Sequence, residues 1–206
     1  GGWRESADVW SLGPGDSAWR AEPPLQSARG ALGLAALGDT LVVFGGVAGG
    51  SPVATAEQLR AGAPRWQPAP AMREVREHLA ATSVGGRVYA IAGRAGAMET
   101  NRRTVESWDG DEAAWREEPP LNDTRGGTAA AGTCVAGGEE PAGTIATVEC
   151  LVVEGDDARW EVVARLETPR HGLAVVAVGD AIHVIGGGPT PGLSVSGAHE
   201  VLTPDR

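Results

Sequence analysis

A period near 47 residues runs through this 206-residue chain and constrains its fold more than any other feature. Trp19, Trp66, Trp115 and Trp160 fall into register at spacings of 47, 49 and 45. A short proline-rich or apolar turn follows each, and then an arginine, Arg29, Arg76, Arg125 or Arg170, at the same three spacings. A glycine pair ends an apolar run in each unit: Gly45-Gly46, Gly137-Gly138 and Gly186-Gly187, with Ala92-Gly93 as the variant copy. An acid sits inside a second apolar run, as Asp8, Glu57, Glu106, Glu149 and Glu200. Four independent marks that keep one period describe a structural unit that stacks on copies of itself.

Within a unit the pattern is strand after strand. Leu37-Gly38-Asp39-Thr40, Val84-Gly85-Gly86-Arg87 and Val178-Gly179-Asp180-Ala181 are two-residue hairpin signals between small and β-branched runs. Each unit therefore opens with an antiparallel hairpin, closes its second strand on the glycine pair and crosses a variable loop. A third strand surrounds the acid and a fourth the tryptophan. Four strands in a repeat of this length make one propeller blade, in an all-β chain. Blades pack face to face, so their strands are buried on both sides and read as apolar runs. The indoles of Trp19, Trp66, Trp115 and Trp160 are expected in the core, filling the gap where blades flare apart. The glycine pairs suit a sharp bend that only glycine makes cheaply.

The order of arginine, apolar hairpin, glycine pair, variable loop, acid-bearing strand and tryptophan resembles the kelch repeat over nearly the whole chain. Departures are local: Ala92 replaces a glycine, and Tyr89 is the chain's one tyrosine. The resemblance implies a single kelch-type β-propeller domain of about four blades of four antiparallel strands, as a partial or open ring. Its parts are a partial blade at 1–27, whole blades at 28–71, 75–120 and 124–166, and a partial blade at 167–206, with seventeen strands in all. Kelch rings of six or seven blades imply a six-bladed parent truncated at its amino end, since the chain opens on Gly1-Gly2 in mid-repeat. An open arc exposes strand edges and is expected to be fragile.

Composition removes several function classes. A net charge of −10 argues against nucleic acid, whose binders carry a basic stripe. All 17 basic residues are arginine, the bias of a GC-rich and hence bacterial genome. With no lysine, Schiff-base chemistry and a P-loop are out of reach. No run approaches the roughly 20 apolar residues of a membrane-spanning helix, so no membrane insertion is expected. No C-x-x-C is present and the four histidines lack the paired spacing of a metal motif, so neither metal nor cofactor is expected.

Function is then sought in loops on the scaffold. The segments after the glycine pairs, 47–55, 94–103, 139–146 and 188–196, differ in length and chemistry. Arg94, Arg102 and Arg103 make one basic, Glu139 and Glu140 make another acidic, and Pro189 and Pro191 stiffen a third. The resemblance implies that Arg29, Arg76, Arg125 and Arg170 face a shallow central pocket, with His78 and His171 at its rim, as a fork for carboxylates or phosphates. The alternative is that each arginine satisfies backbone carbonyls or the repeated acid of a neighbouring strand. The expected function is an interaction module for a protein, peptide or acidic ligand, not an enzyme, with oligomeric state open. Other readings are a sugar-processing enzyme similar to the sialic-acid mutarotases, and an extracellular sensor domain of a larger protein. A copper oxidase of the galactose-oxidase kind needs two tyrosines and is excluded. Cys134 and Cys150 fall opposite each other on adjacent strands. They are either a disulfide, implying a secreted or cell-envelope protein, or two small buried thiols.

Overall fold

A computed structural model describes residues 4–155 and 157–203. The glycine pair Gly1-Gly2 and the carboxyl end at Arg206 lie outside the described residues. A two-stranded sheet comes first, β1 (Val9–Ser11) with β2 (Arg20–Glu22). The second sheet holds β3 (Gly33–Leu37) and β4 (Thr40–Phe44). After β4 comes a small separate hairpin of β5 (Val47–Ala48) and β6 (Ser51–Pro52). Then β7 (Ala56–Arg60) and β8 (Gln67–Ala69) complete the sheet. The third sheet is β9 (Ala80–Val84), β10 (Arg87–Ile91), β11 (Val105–Trp108) and β12 (Arg116–Glu118), with a 3₁₀ turn at Met98–Thr100 in its long loop. The fourth sheet opens with β13 (Ala129–Ala131) and β14 (Cys134–Ala136), followed by a second small hairpin, β15 (Glu139–Glu140) and β16 (Gly143–Thr144). It ends with the long strands β17 (Thr147–Glu154) and β18 (Asp157–Arg165). The last sheet has three strands, β19 (Ala174–Val178), β20 (Ala181–Ile185) and β21 (His199–Leu202).

All pairings are antiparallel and follow chain order, so each sheet is a meander. The seventeen expected blade strands are present. The two miniature hairpins were not foreseen, because each forms inside a loop too short to show a strand pattern. Turn chemistry explains the tight 1–2 corners: Gly38, Gly85, Gly132 and Gly179 all take a φ near +57°, as such hairpins require.

Consecutive blades are joined by hydrogen bonds that repeat at three radii. Nearest the axis, the residue two after each repeat arginine turns left-handed: Ala31, His78, Gly127 and Gly172. Their backbones link in series, with His78 N–H donating to Ala31 O, Gly127 N–H to His78 O and Gly172 N–H to Gly127 O, at 2.7–3.0 Å. Farther out, the second glycine of each pair donates to the next blade's arginine carbonyl: Gly46 to Arg76, Gly93 to Arg125 and Gly138 to Arg170. There is no room for a side chain here. A Cβ on Gly137 would lie 2.4 Å from Arg170 O, and one on Gly46 2.5 Å from Gly30 O. At the rim, the indole N–H of Trp66, Trp115 and Trp160 donates to Pro23, Pro70 and Pro119 of the preceding blade, at 2.8–2.9 Å.

Between these bonds the gap is filled by apolar clusters. Trp108 and Trp115 stack at 6.3 Å and pack on Ala35, Val42, Phe44 and Ala56 of the blade before. Trp160 does the same on Tyr89, Ile91 and Val105, and Trp66 on Leu25 and Val9. One fully buried indole removes on the order of 200 Å² from water, about 5 kcal/mol as an upper figure. The expectation that all four repeat tryptophans are core fails for Trp19, which is 64% exposed. Its sheet has no other sheet against that face among the described residues.

Candidate binding face

The four repeat arginines are not at the rim of a pocket. Arg76, Arg125 and Arg170 are fully buried and Arg29 nearly so. Each works as a staple inside its own blade, so the expected arc of free guanidiniums is corrected to the alternative weighed beside it. Arg29 Nη1 donates to Gly45 O and Thr55 O, and Nη2 to Glu57 at 2.8 Å. Arg76 repeats this with Ala92 O, Thr104 O and Glu106, and Arg125 with Gly137 O, Thr147 O and Glu149. Arg170 reaches Val184 O, Gly186 O and Glu200. The repeated acid has a second duty, accepting backbone N–H groups from the turn that leads into the blade. Glu57 takes Gln26 and Ser27, Glu106 takes Arg73 and Glu74, and Glu200 takes Glu167 and Thr168.

The physical reason is the glycine-pair bend. It turns the carbonyl of the first residue of the pair (Gly45, Ala92, Gly137 or Gly186) toward the arginine, and a buried carbonyl must be satisfied. A guanidinium has enough donors to serve two carbonyls and a carboxylate at once. Burial pulls the Arg76 and Arg125 guanidiniums below their ordinary range, and the facing Glu106 and Glu149 oppose that.

One position beyond each arginine the chain bridges back to the residue after the glycine pair: Gly30 to Val47, Glu77 to Arg94, Gly126 to Glu139 and His171 to Gly188. These positions bring a charged cluster together across three blades. Arg94 Nε donates to Glu77 and Nη1 to Glu139 of the next blade, both at 2.9 Å. Glu139 also faces His171 Nδ1 at 3.6 Å and accepts Gly192 N–H at 3.2 Å. His78 Nδ1 lies against Glu77. Burial, with Arg94 close by, brings the His78 imidazole down from 6.5 to about 4, while Glu139 pulls the other way. Both carboxylates are buried and paired. Of the residues expected at a site, Arg94, His78 and His171 meet here. Arg102 lies apart, paired with Glu74 at 2.6 Å. Among the described residues no group of three or more His, Cys, Asp or Glu could hold a metal ion.

Above this cluster lie the loops that follow the glycine pairs, each with its own structure. The β5–β6 turn is capped by Glu5, which accepts Gly49 and Gly50 N–H at 2.8 Å. The 3₁₀ loop reaches the β15–β16 hairpin through Asn101 Nδ2, which donates to Glu139 O at 2.6 Å. That hairpin meets the next loop through Thr144 Oγ1, which donates to Pro189 O at 2.9 Å. The last three loops therefore form one continuous rim. On it Leu193 and Val195 are 85% and 93% exposed. Sequence reasoning missed both, because two apolar residues between serines in a proline-rich loop carry no periodicity.

Residues 76–122 match the kelch motif. The chain is a kelch-repeat β-propeller. It is 31% identical over 190 residues to the human protein named "Kelch repeat and BTB domain-containing protein 13", covering 85% of this chain and 39% of that protein. The kelch propeller thus spans well under half the length of that relative. The matched segment is the third sheet with its staple Arg76–Glu106 and its paired Trp108 and Trp115.

Two further features complete the surface. Cys134 and Cys150 form a disulfide between directly opposed positions of β14 and β17. At the hairpin-tip end of the blades lies a groove of about 500 Å³, lined in part by Asp39, Arg60, Asp109 and Asp111. Asp39 is paired with Arg60 and Asp109 with Arg87. Arg60 holds Asp39 below the usual carboxylate range, and backbone N–H groups do so for Asp109.

Proposed function

We propose that this kelch propeller is an interaction module that binds a protein or peptide on the rim of loops following the glycine pairs. One contrast carries the reading. The repeated residues are spent on building blades and joining them, while the loops after the glycine pairs differ in every blade and the last three are anchored to one another. Loops on a rigid scaffold are where recognition resides. Leu193 and Val195 supply exposed apolar anchors, the kind of side chain that dominates binding energy when it is desolvated. Glu99, Arg103 and Glu140 are charges on the same set of loops.

An acidic ligand is the less favoured partner. The four repeat arginines are buried, Arg94 and Arg102 are already paired, and the chain carries −10 overall. Arg103 is the loop arginine left for an acidic group.

The test is selection of binders from a random peptide display library against the intact chain, followed by affinity measurements on variants. Leu193→Ser and Val195→Ser should weaken selected peptides at least tenfold, whereas Arg60→Ala at the opposite end should leave them unchanged. Binders that are insensitive to the loop substitutions but lost with Arg60→Ala would refute the proposed face.

A further inference from the structure

Blades built on one plan differ at one corner. In the third sheet Arg87 stands at the corner of the β9–β10 hairpin, with its side chain 11% exposed. Its Nε donates to Ser107 Oγ at 2.7 Å, Nη1 to Asp109 at 3.2 Å and Nη2 to Glu112 at 2.5 Å. The second sheet has Thr40 at the same hairpin corner and Gln58 where the third has Ser107. Ala63 follows Glu57 at the distance by which Glu112 follows Glu106. A closed ion cluster is thus replaced by two shorter side chains and an amide. The groove of about 500 Å³ at the hairpin-tip end lies at that place, and Thr40, Gln58 and Ala63 all line it. In the fourth sheet the place of Gln58 belongs to Cys150, closed by its bond to Cys134. The groove therefore comes from the side chains of this one blade and not from the common fold.

Its walls are set by the fold. On the third-sheet side, Asp109 accepts the N–H groups of Asp111 and Glu112. Gly110 lies so close to the second sheet that a Cβ there would sit 2.8 Å from Leu37 Cδ2. On the other side, Ala61 N–H donates to Asp39 O at 2.8 Å and fixes the β7–β8 turn. Gln58, half-buried, and Gln67 face each other across β7 and β8, and both line the groove.

The chemistry of this lining selects a ligand class. Each carboxamide offers donors and an acceptor, the same complement that a peptide group carries. Asp39 is engaged by Arg60, and Asp109 by Arg87. Arg65 on one wall and Asp111 on the other have no ion-pair partner among the described residues, so each wall presents one charge, of opposite sign. The volume falls within the roughly 300–1,000 Å³ of small-ligand sites.

We propose that this groove binds a short peptide with free termini. Arg65 takes its carboxylate, Asp111 its ammonium group, and Gln58 and Gln67 its peptide groups. The site is separate from the loop rim and lies at the other end of the blades.

Calorimetric titration of the intact chain with the uncapped tripeptides Ala-Ala-Ala, Ala-Ser-Ala and Ala-Leu-Ala tests it, beside the same peptides acetylated and amidated. At least one uncapped peptide should bind, and capping both ends should weaken it about tenfold or more, since two charge-assisted contacts are lost. Arg65→Ala, Asp111→Ala and Gln58→Leu should each weaken it too. Thr40→Arg/Ala63→Glu rebuilds the Arg87–Glu112 pair in the second sheet and should abolish binding, with the β-structure retained by circular dichroism. Leu193→Ser should leave tripeptide binding unchanged, which separates this site from the rim. Failure of every uncapped peptide to bind, equal binding of the capped forms, or full binding by the rebuilt variant overturns the proposal.

Discussion

Arg125→Met isolates the energetics of the blade staple. Arg125 and Glu149 are both fully buried, and the guanidinium also serves Gly137 O, Thr147 O and Thr147 Oγ1. Methionine keeps the length of the side chain and removes the charge and every donor. Glu149 Oε2 would retain Asn122 N–H and Nδ2–H at 2.8 and 2.7 Å, but Oε1 would lose its partner. Removing one member of a buried ion pair costs about 3–5 kcal/mol. Gly137 O loses its arginine donor and Thr147 O keeps only the Gly137 N–H, which pushes the result to the upper part of that range. Against a total stability of roughly 5–15 kcal/mol, this brings the chain to the edge of unfolding at room temperature.

Equilibrium urea denaturation followed by tryptophan fluorescence measures the loss. The companion Arg125→Met/Glu149→Gln removes the stranded charge and leaves an amide oxygen for Asn122, so it should be at least about 1–2 kcal/mol more stable than Arg125→Met alone. Asp39→Asn, which breaks the exposed pair with Arg60 at 3.1 Å, is the control and should lose far less stability than Arg125→Met. A loss for Arg125→Met no larger than that for Asp39→Asn, or a double variant no milder than the single, would refute the staple argument.

Three other perturbations separate structural claims. His78 is held neutral, its pKa brought from 6.5 down to about 4, so the unfolded chain binds more protons between those values. Stability should be complete above pH 6.5 and fall as pH drops toward 4, by on the order of 1 kcal/mol after discounting for its partial exposure. His78→Asn tolerates the left-handed backbone and should flatten that part of the pH–stability curve. Trp160→Phe loses the indole bond to Pro119 and part of a buried ring, for a cost of about 1–3 kcal/mol. Trp19→Phe should shift the thermal midpoint of the monomer by less than a degree. Cys134→Ala/Cys150→Ala opens a covalent loop with a sequence separation of 16 and should cost up to about 3 kcal/mol, read by calorimetry with and without reductant.

The fold was legible because its determinants recur. A glycine pair, an arginine and an acid that return every 47 residues place the blades, the hairpin corners and the opposed cysteines without any knowledge of distance. The site was legible only in part. Sequence marked Arg94, His78, His171 and Glu139 as residues near the blade mouths, yet gave Glu77 no role although it stands beside a repeat arginine.

What the sequence decided alone was identity and order: which residues repeat, hence which strands exist and in what succession. Tertiary structure decided which way the repeated side chains are spent. Arg29, Arg76, Arg125 and Arg170 could equally have faced the axis or the strand ends. Burial settles it, because carbonyls turned toward the arginine by the glycine bend must find donors once water is excluded, and the guanidinium is the group within reach. Exposure likewise belongs to the assembled chain. Trp19 and Trp115 hold the same place in the repeat, but among the described residues only Trp115 has a neighbouring blade to bury it.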